Sequence, residues 1–255
     1  MRDDLSKGLA VVTGAGSGLG RALAMELVAR RVQVAGFGRR AEALAQTAAL
    51  AGQGFHPHMV DVSDADAVAG AFATLQSRLG PVTILINNAA VYPRRDILEE
   101  TPQSFMASVA VNLGGMVNCT DAALRAMVVT GQGRIMNVST FADIAPLPAS
   151  SGYAVSKGAA RIYTRALVAD LGDRFPWIVI NDWMPGMLAT QMGIADGLDP
   201  AVAARWGVSL ALWLDPSLTG TIFEMDRELL PQRSFKGRIK DRLLLRTRLK
   251  PRLLA

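Results

Sequence analysis

Short apolar runs alternate along the chain with longer stretches in which apolar residues recur at helical spacing. The apolar runs have the length and composition of buried strands, and they are 9–12, 32–37, 56–62, 82–86, 134–138, 178–184 and 220–226. Several of the stretches between them predict helices, among them 64–79 and 201–214. Because strands and helices alternate throughout, we predict an α/β fold with a doubly wound, mainly parallel sheet covered by helices on both faces.

The 255-residue chain contains no Ser- or Pro-rich linker and no internal repeat. We therefore expect one domain over residues 1–231, followed by a basic extension over 232–255. Cys119 is the only cysteine, which excludes an internal disulfide and is typical of a protein in the reducing cytoplasm. The apolar runs are shorter than the ~18 residues of a membrane helix, and no apolar signal core follows Met1. These features predict a cytoplasmic protein.

A glycine-rich turn links the first predicted strand to a helix that is predicted to run through residue 30. In this arrangement, backbone N–H groups at the helix N-terminus can meet a pyrophosphate, and glycines allow its close approach. The turn therefore predicts a dinucleotide site. Its candidate contacts are Gly14, Ser17, Gly18, Leu19 and Gly20.

The second predicted strand ends in Gly38, Arg39 and Arg40. An acid near this point typically binds the ribose hydroxyls of NAD, whereas an arginine accommodates the 2′-phosphate of NADP. Glycine stands where the acid is expected, and two guanidinium groups follow, so we predict that NADP(H) is preferred over NAD(H). Alternatively, the two arginines simply begin a solvated helix. Ser17 favours this alternative, because it stands in the glycine turn where a second basic residue would be expected.

Polar residues also follow the next two predicted strands. Asp61 and Val62 end the third, where an adenine ring is expected, and the fourth leads into Asn87-Asn88-Ala89-Ala90. His56 and His58 have no Cys or acid at metal-ligand spacing, so we expect no metal site.

Tyr153 and Lys157 are four residues apart, which places them on one face if their segment is helical. A phenol has a pKa near ~10, and a nearby cation lowers that pKa toward the working range of an acid-base group. The pair predicts a proton-transfer device.

These motifs together resemble the short-chain dehydrogenase/reductase superfamily in its single-domain form. The resemblance runs from about residue 8 to residue 226 and implies a Rossmann-type fold. It rests on Thr13-Gly14-x-x-x-Gly18-x-Gly20, Asp61-Val62, Asn87-Asn88-Ala89, Asn112, Tyr153-x-x-x-Lys157 and Pro185-Gly186-x-x-x-Thr190.

The resemblance implies a catalytic set of Asn112, Thr140, Tyr153 and Lys157. Tyr153 would exchange a proton with the substrate oxygen, and Lys157 would lower the Tyr153 pKa and bind the nicotinamide ribose. Thr140 would hold the substrate oxygen in place of the usual serine, with Ser139 one residue out of register as the alternative. Asn112 would support a water-mediated proton path, although read locally it marks a helix kink.

The resemblance also implies that Asn88, Ala89, Ala90, Pro185, Gly186, Leu188 and Thr190 contact the cofactor. The segment 191–200 is shorter than the substrate lid of other members, which predicts a more open site. The candidate substrate-facing residues are largely apolar, and they are Tyr92, Phe141, Ile144, Leu147, Met187 and Met192. They predict a hydrophobic or bulky ketone, such as a 3-oxoacyl compound, while Arg94 and Arg95 leave open an anionic substrate.

The net charge of +5 is unevenly distributed, because residues 232–255 carry nine Lys or Arg and one Asp. Apolar residues in this extension recur at helical spacing, which suits packing on the protein itself or on a neighbouring subunit, binding to an anionic membrane surface, or binding to an acidic partner. Phe235 is its only aromatic residue, so nucleic-acid binding is not expected. The resemblance implies a homodimer or homotetramer. The alternative function is an NADP-binding protein with little catalysis that acts through this extension.

Overall fold

The computed structural model of the protein describes residues 5–230 and 250–254. The strands are β1 (Leu9–Thr13), β2 (Gln33–Gly38), β3 (Phe55–Met59), β4 (Val82–Asn87), β5 (Gly133–Val138), β6 (Ile178–Met184), β7 (Ile222–Glu224) and β8 (Arg227–Leu229). The α-helices are α1 (Gly18–Ala29), α2 (Ala41–Ala51), α3 (Ala65–Leu79), α4 (Pro102–Val109), α5 (Gly115–Thr130), α6 (Ser151–Leu171) and α7 (Pro200–Leu212).

The strands form one sheet in the order β3-β2-β1-β4-β5-β6-β7-β8, in which only β8 is antiparallel to its neighbour. The predicted doubly wound, mainly parallel fold is therefore confirmed. The chain moves outward from β1 to β3 and then returns to the other side of β1 as β4. This reversal opens a crevice at the carboxyl ends of the strands, where ligands bind in such sheets.

Apolar residues fill the space between the sheet and each helical layer. On one face, α1 and α7 pack around the fully buried Trp183 of β6. On the other face, α3, α5 and α6 pack on β1, β4 and β5, and Cys119 is buried in this layer. Because both faces are covered, the central strands are apolar nearly throughout, as expected for a parallel sheet.

The third and last strands differ from the prediction. β3 ends at Met59, so Asp61 and Val62 lie in the loop that follows. The Asp61 carboxylate accepts hydrogen bonds from the backbone N–H and hydroxyl of Ser63, which turns the chain toward α3. The last predicted strand, 220–226, contains the shorter β7 and the turn that follows it, in which Met225 has a φ of 51°. This turn joins β7 to the antiparallel β8 in a hairpin that the sequence did not predict.

The described residues 250–254 pack against the edge of the sheet. The Arg252 guanidinium donates to the Glu228 carboxylate of β8 at 2.8 Å, and Leu254 is buried. Residues 232–249 and 255 of the predicted basic extension lie outside the described residues. Within the described part, no helix is long and apolar enough to cross a bilayer.

Candidate active site

A cleft of about 1310 Å³ lies at the carboxyl edge of the sheet. It brings together all the predicted catalytic and cofactor-binding residues except Asn112. The predicted residues that line it are Gly14, Ser17, Gly18, Leu19, Gly20, Arg39, Arg40, Asp61, Val62, Asn88, Ala89, Ala90, Thr140, Tyr153, Lys157, Pro185, Gly186, Leu188 and Thr190. Loops that follow several different strands thus meet at one site.

The glycine turn leaves no room for side chains where the backbone crosses beneath the cleft. Gly14 has a φ of +70°, and a Cβ there would lie 3.0 Å from the Ala89 Cα. A Cβ on Gly20 would lie 2.2 Å from the Gly14 carbonyl oxygen. The bare backbone and the N-terminus of α1 therefore border the cleft directly, which is the geometry that a pyrophosphate requires.

Thr13, which the sequence reading used only as part of a motif, ties the glycine turn to the loop after β4. Its hydroxyl accepts hydrogen bonds from the backbone N–H groups of Asn88 and Ala89, each at 2.9 Å. The Asn88 side chain returns a bond to the Thr13 carbonyl at 2.9 Å. These bonds fix two cofactor-facing loops relative to each other.

The two arginines after β2 lie at one end of the cleft. Arg39 reaches toward Asp61, with 4.0 Å between Nη1 and Oδ2, and both side chains are exposed. Arg40 is also exposed and precedes the first residue of α2. Hydrogen bonding to Ser63 holds the Asp61 pKa below its usual value, and the Arg39 charge acts in the same direction. Two guanidinium groups and one carboxylate thus surround this end.

Tyr153 and Lys157 lie one turn apart on α6, as the spacing predicts. The Thr140 hydroxyl lies near the Tyr153 phenol and acts to lower the Tyr153 pKa. The Lys157 ammonium donates to the Val138 carbonyl at 2.8 Å and is almost fully buried. A hydroxyl, a phenol and an ammonium therefore converge from β5 and α6 on the same wall of the cleft.

The electrostatics of Tyr153 differ from the sequence-based expectation. Burial raises the Tyr153 pKa above its ordinary value, and this effect outweighs that of the nearby Thr140 hydroxyl, which lowers the pKa. Burial also lowers the Lys157 pKa to about 8. The physical reason is that both groups are removed from water, which disfavours the charged form of each.

Ser139 and Thr140 occupy different environments. Thr140 contacts Tyr153 and accepts a hydrogen bond from the Ala142 N–H at 3.2 Å. The Ser139 hydroxyl is buried beside the cleft without a hydrogen-bond partner. The geometry therefore favours Thr140 as the hydroxyl that acts with Tyr153.

Asn112 does not line the cleft but lies behind it, in a π-helical turn over Ala110–Gly114. Its side chain accepts from the Val91 N–H at 2.7 Å and donates to the Val91 carbonyl at 3.0 Å. It also donates to the Ser156 hydroxyl at 2.9 Å. Asn112 thus connects the loop after β4 to α6, and it stands at a helix irregularity as its local reading suggested. π-turns of this kind are frequent at functional sites.

The mouth of the cleft is aromatic and apolar. The Tyr92 ring stacks on the Tyr153 ring with centroids 4.5 Å apart, and the Arg94 guanidinium lies over Tyr92. Arg94 also donates to the carbonyls of Met192 and Gly193, at 3.2 and 3.0 Å. The loops after β4 and β6 are therefore bridged across the mouth.

Not every predicted substrate-facing residue reaches the cleft. Tyr92, Phe141, Leu147, Met187 and Met192 line it, but Ile144 does not and is 70% exposed. Ile144 lies in a turn whose N–H bonds back to the Phe141 carbonyl, which points the chain outward. Arg95 lies near Glu100, with 3.5 Å between Nη1 and Oε1.

The segment between β6 and α7 contains no helix in this fully described stretch. It is a compact loop in which the Ala189 N–H donates to the Leu198 carbonyl and the Leu198 N–H donates to the Met187 carbonyl. The cleft is consequently bordered by a short loop, as its length predicts.

Asp182 is the polar residue that sequence reading passed over. It lies in β6, is buried beneath the site, and accepts a hydrogen bond from the Thr164 hydroxyl at 2.8 Å. Burial raises the Asp182 pKa to about 6. The sequence did contain a signal for this residue, because it places a carboxylic acid within an apolar run that predicts a buried strand.

The residues of the cleft fit a nicotinamide dinucleotide. The glycine turn offers bare backbone for the pyrophosphate, Asp61 and the arginines offer polar groups for one nucleoside, and Tyr153 and Lys157 lie at the other end. Because Gly14 and Gly20 carry no side chains, the backbone of the glycine turn forms an open cradle for the pyrophosphate.

Comparisons with known proteins identify the family of this chain. The family model described as short chain dehydrogenase matches residues 8–199. Galactitol 2-dehydrogenase (L-tagatose-forming) of Cereibacter sphaeroides is 34% identical over 200 residues, which are 77% of this chain and 78% of that protein. L-xylulose reductase of Mus musculus is 33% identical over 192 residues, which are 75% and 76% of the two chains.

The fold has counterparts among solved structures. A short chain dehydrogenase from Bacillus anthracis str. 'Ames Ancestor' superposes with a TM-score of 0.80 at 21% identity, over 88% of this chain and 96% of that chain. The chain belongs to the short-chain dehydrogenase/reductase family, which is a family of oxidoreductases that use a nicotinamide cofactor.

Proposed function

We propose that this protein transfers a hydride between NADP(H) and a carbonyl or secondary alcohol carbon. The observation that carries the proposal is the convergence of Thr140, Tyr153 and Lys157 on one wall of a cleft whose floor is the glycine turn. Family membership supports the reaction class.

Each group in the cleft has a distinct task in this reaction. Thr140 hydrogen-bonds the substrate oxygen and orients it toward Tyr153. The Tyr153 phenol donates a proton to that oxygen in reduction and removes it in oxidation. Lys157 binds the cofactor ribose and places a positive charge near the phenol, while Asn112 holds the loop after β4 and supports the proton path. The bound cofactor supplies or accepts the hydride.

The preference for NADP(H) rests on the residues after β2. Gly38 presents no carboxylate to the ribose hydroxyls, and Arg39 and Arg40 are exposed at the cleft. Guanidinium groups are suited to a phosphate because they donate in a planar fork. Asp61 is the competing acid, but Ser63 holds its carboxylate in the loop after β3.

The substrate we propose is a hydrophobic or bulky ketone, or the matching alcohol, such as a 3-oxoacyl compound. Its reacting carbon lies near Tyr153, and its flanking groups meet the apolar side chains at the mouth. Arg94 binds two backbone carbonyls and Tyr92, which argues against a role in binding an anionic substrate. The relatives named above carry the names of polyol or sugar enzymes, so a substrate panel includes those compounds beside bulky ketones.

Tyr153→Phe tests the catalytic proposal. We expect turnover to fall at least ~100-fold, because the variant lacks the proton donor, while NADPH affinity changes less than about threefold. Tyr163→Phe is the matched control, because Tyr163 lies further along α6 and does not line the cleft, and it should leave turnover unchanged. The mechanism would be contradicted if the wild type turns over a compound and Tyr153→Phe turns over the same compound at a similar rate. Absence of turnover on every compound, together with tight NADPH binding, would instead favour a binding protein that acts through its basic extension.

Arg39→Ala tests the cofactor preference. We expect NADPH binding to weaken by about 1.5–3 kcal/mol and NADH binding to change much less, because a charged hydrogen bond to the 2′-phosphate is lost. Arg125→Ala, an exposed arginine of α5, is the matched control and should alter neither affinity. Titration of tryptophan fluorescence measures both cofactors. Equal wild-type affinity for NADH and NADPH would refute the preference.

We also propose a cytoplasmic homodimer or homotetramer. Large apolar side chains are exposed on α5 and α6, among them Val129, Val155 and Ile162. Burying such residues between copies of the chain would stabilise an oligomer. Light scattering of the full chain measures the assembly, and a monomer at micromolar concentration would contradict it.

A further inference from the structure

Three neighbouring strands each carry one buried polar residue at the same level beneath the active site. They are Asn87 of β4, Asn137 of β5 and Asp182 of β6. Asn87 is in register with Asn137, and Asn137 is in register with Asp182. Residues that are paired in this way point to the same face of the sheet, so the three side chains form a row across it.

Hydrogen bonds connect this row to the two helices that cover it. The Asn87 amide donates to the Asn137 side-chain oxygen at 2.9 Å and to the Thr120 hydroxyl of α5 at 3.1 Å. The Asn137 amide donates to the Thr164 hydroxyl of α6 at 3.0 Å, and that hydroxyl donates to Asp182 at 2.8 Å. The chain of donors therefore ends on the carboxylate.

Lys157 brings a positive charge to the same face. It precedes Thr164 by two helical turns on α6, and its ammonium donates to the carbonyl of Val138, the residue after Asn137. Among the described residues, no carboxylate lies within 4.0 Å of this ammonium. The Lys157 ammonium of α6 and the Asp182 carboxylate of β6 thus both lie buried on this side of the sheet.

Two other cations face Asp182 from α6, but both have other environments. Arg161 donates to both carboxylate oxygens of Asp143 at 2.8 Å. Arg165 is exposed to solvent, which screens its charge. The Arg161 side chain is also largely buried, and its charge acts on Asp182 more strongly than that of Lys157, but Asp143 already balances it. Among these three cations, Lys157 is therefore the buried one without a carboxylate partner, whose charge Asp182 can balance.

We propose that Asp182 is a positioning residue that acts as the counterion of Lys157 and keeps the Lys157 side chain an ammonium under working conditions. This role rests on the proposed function, because it matters for turnover only if Lys157 acts beside Tyr153. Asp182 itself touches neither the phenol nor the substrate.

The electrostatics of the two groups agree with this pairing. Burial raises the Asp182 pKa to about 6, and the Thr164 hydrogen bond and then the charges of Arg161, Lys157 and Arg165 act to lower it. Burial lowers the Lys157 pKa to about 8, and the Asp182 charge acts to raise it. Both groups are therefore charged mainly between these two values, and Lys157 would lose its proton at lower pH without the carboxylate.

The direct test follows the titration of Lys157 by NMR, using the side-chain carbon and nitrogen signals of isotope-labelled lysine in the full chain. The Lys157 signal is assigned by its loss in Lys157→Arg. In the wild type we expect titration near pH 8 and a second inflection near pH 6, where Asp182 ionises. In Asp182→Asn, which keeps the acceptor for Thr164, the inflection disappears and Lys157 titrates about one pH unit lower.

Asp170→Asn is the matched control, because Asp170 is an exposed carboxylate on the same helix. It should leave the Lys157 titration unchanged. An unshifted titration in Asp182→Asn would overturn the proposal, and so would a wild-type titration without the inflection near pH 6. If Asp182→Asn fails to fold, the presence or absence of the wild-type inflection near pH 6 decides whether Lys157 and Asp182 are coupled.

The kinetic readout is the pH profile of kcat/KM for ketone reduction. We expect its alkaline limb to move to lower pH in Asp182→Asn by the same amount as the Lys157 titration. A purely structural role would instead lower kcat/KM evenly at every pH, which would overturn the kinetic part of the proposal. If no compound is turned over, the proposed function fails, while the NMR titration still decides whether Asp182 and Lys157 are coupled.

Discussion

Replacing Asp182 by Asn should stabilise the fold at neutral pH, although it alters a buried residue. Asn keeps the size of Asp and an acceptor for the Thr164 hydroxyl, so the main change is the loss of a buried charge. Burial raises the Asp182 pKa from 3.8 to about 6. Each unit corresponds to about 1.4 kcal/mol, so ionising this group costs the folded state about 3 kcal/mol.

The sign of the pH dependence follows from the raised pKa. The contribution of the Asp182 carboxyl to folding stability is fully present below about 3.8 and is lost as the pH rises through about 6. The advantage of Asp182→Asn over the wild type should therefore grow by about 2 kcal/mol between pH 4.5 and pH 7.

Urea unfolding followed by tryptophan fluorescence measures this difference at each pH. Asp170→Asn is again the control, and an exposed substitution of this kind should stay within about 0.5 kcal/mol of the wild type throughout. A difference between Asp182→Asn and the wild type that does not change with pH would refute the reasoning. It would mean that Thr164 and the nearby cations compensate the carboxylate fully, so that burial leaves its pKa no higher than in the unfolded chain.

Three further predictions concern the cradle, the sheet and the end of the chain. Gly20→Ala should weaken NADPH binding more than about tenfold in a fluorescence titration, because its Cβ would lie 2.2 Å from the Gly14 carbonyl oxygen. Gly70→Ala is the control, because a Cβ there has open space, and this variant should bind NADPH normally in the same titration. Arg134→Met should destabilise the fold by about 3 kcal/mol in urea unfolding, since the fully buried guanidinium serves three backbone carbonyls. Arg252→Ala should lower the free energy of unfolding by about 2 kcal/mol, because a buried carboxylate of β8 loses its partner. For Arg134→Met and for Arg252→Ala, an unchanged unfolding midpoint would contradict the prediction.

Features that depend on neighbouring residues were predictable from the sequence. The alternation of apolar runs and helical stretches predicted the doubly wound sheet, because strand and helix periods are local properties of the chain. The glycine turn and the spacing of Tyr153 and Lys157 predicted a cleft floor and a shared helix face for the same reason. Their placement in one cleft follows from parallel strands ending at a common edge.

Element ends were less predictable, because they depend on side-chain bonds made by a few residues. β3 ends before Asp61 since that carboxylate turns the chain with Ser63. The hairpin of β7 and β8 needed Met225 in a left-handed conformation, which no sequence pattern indicated. Ile144 was placed wrongly at the cleft because its turn points outward.

The sequence by itself therefore determined the order of the elements, the glycine cradle and the one-turn separation of the acid-base pair. Only the tertiary structure decided that Asn87, Asn137 and Asp182 form one row, because strand register joins residues far apart in the chain. It also decided the direction in which the Tyr153 pKa moves, since desolvation depends on everything that covers a group and not on its sequence neighbours.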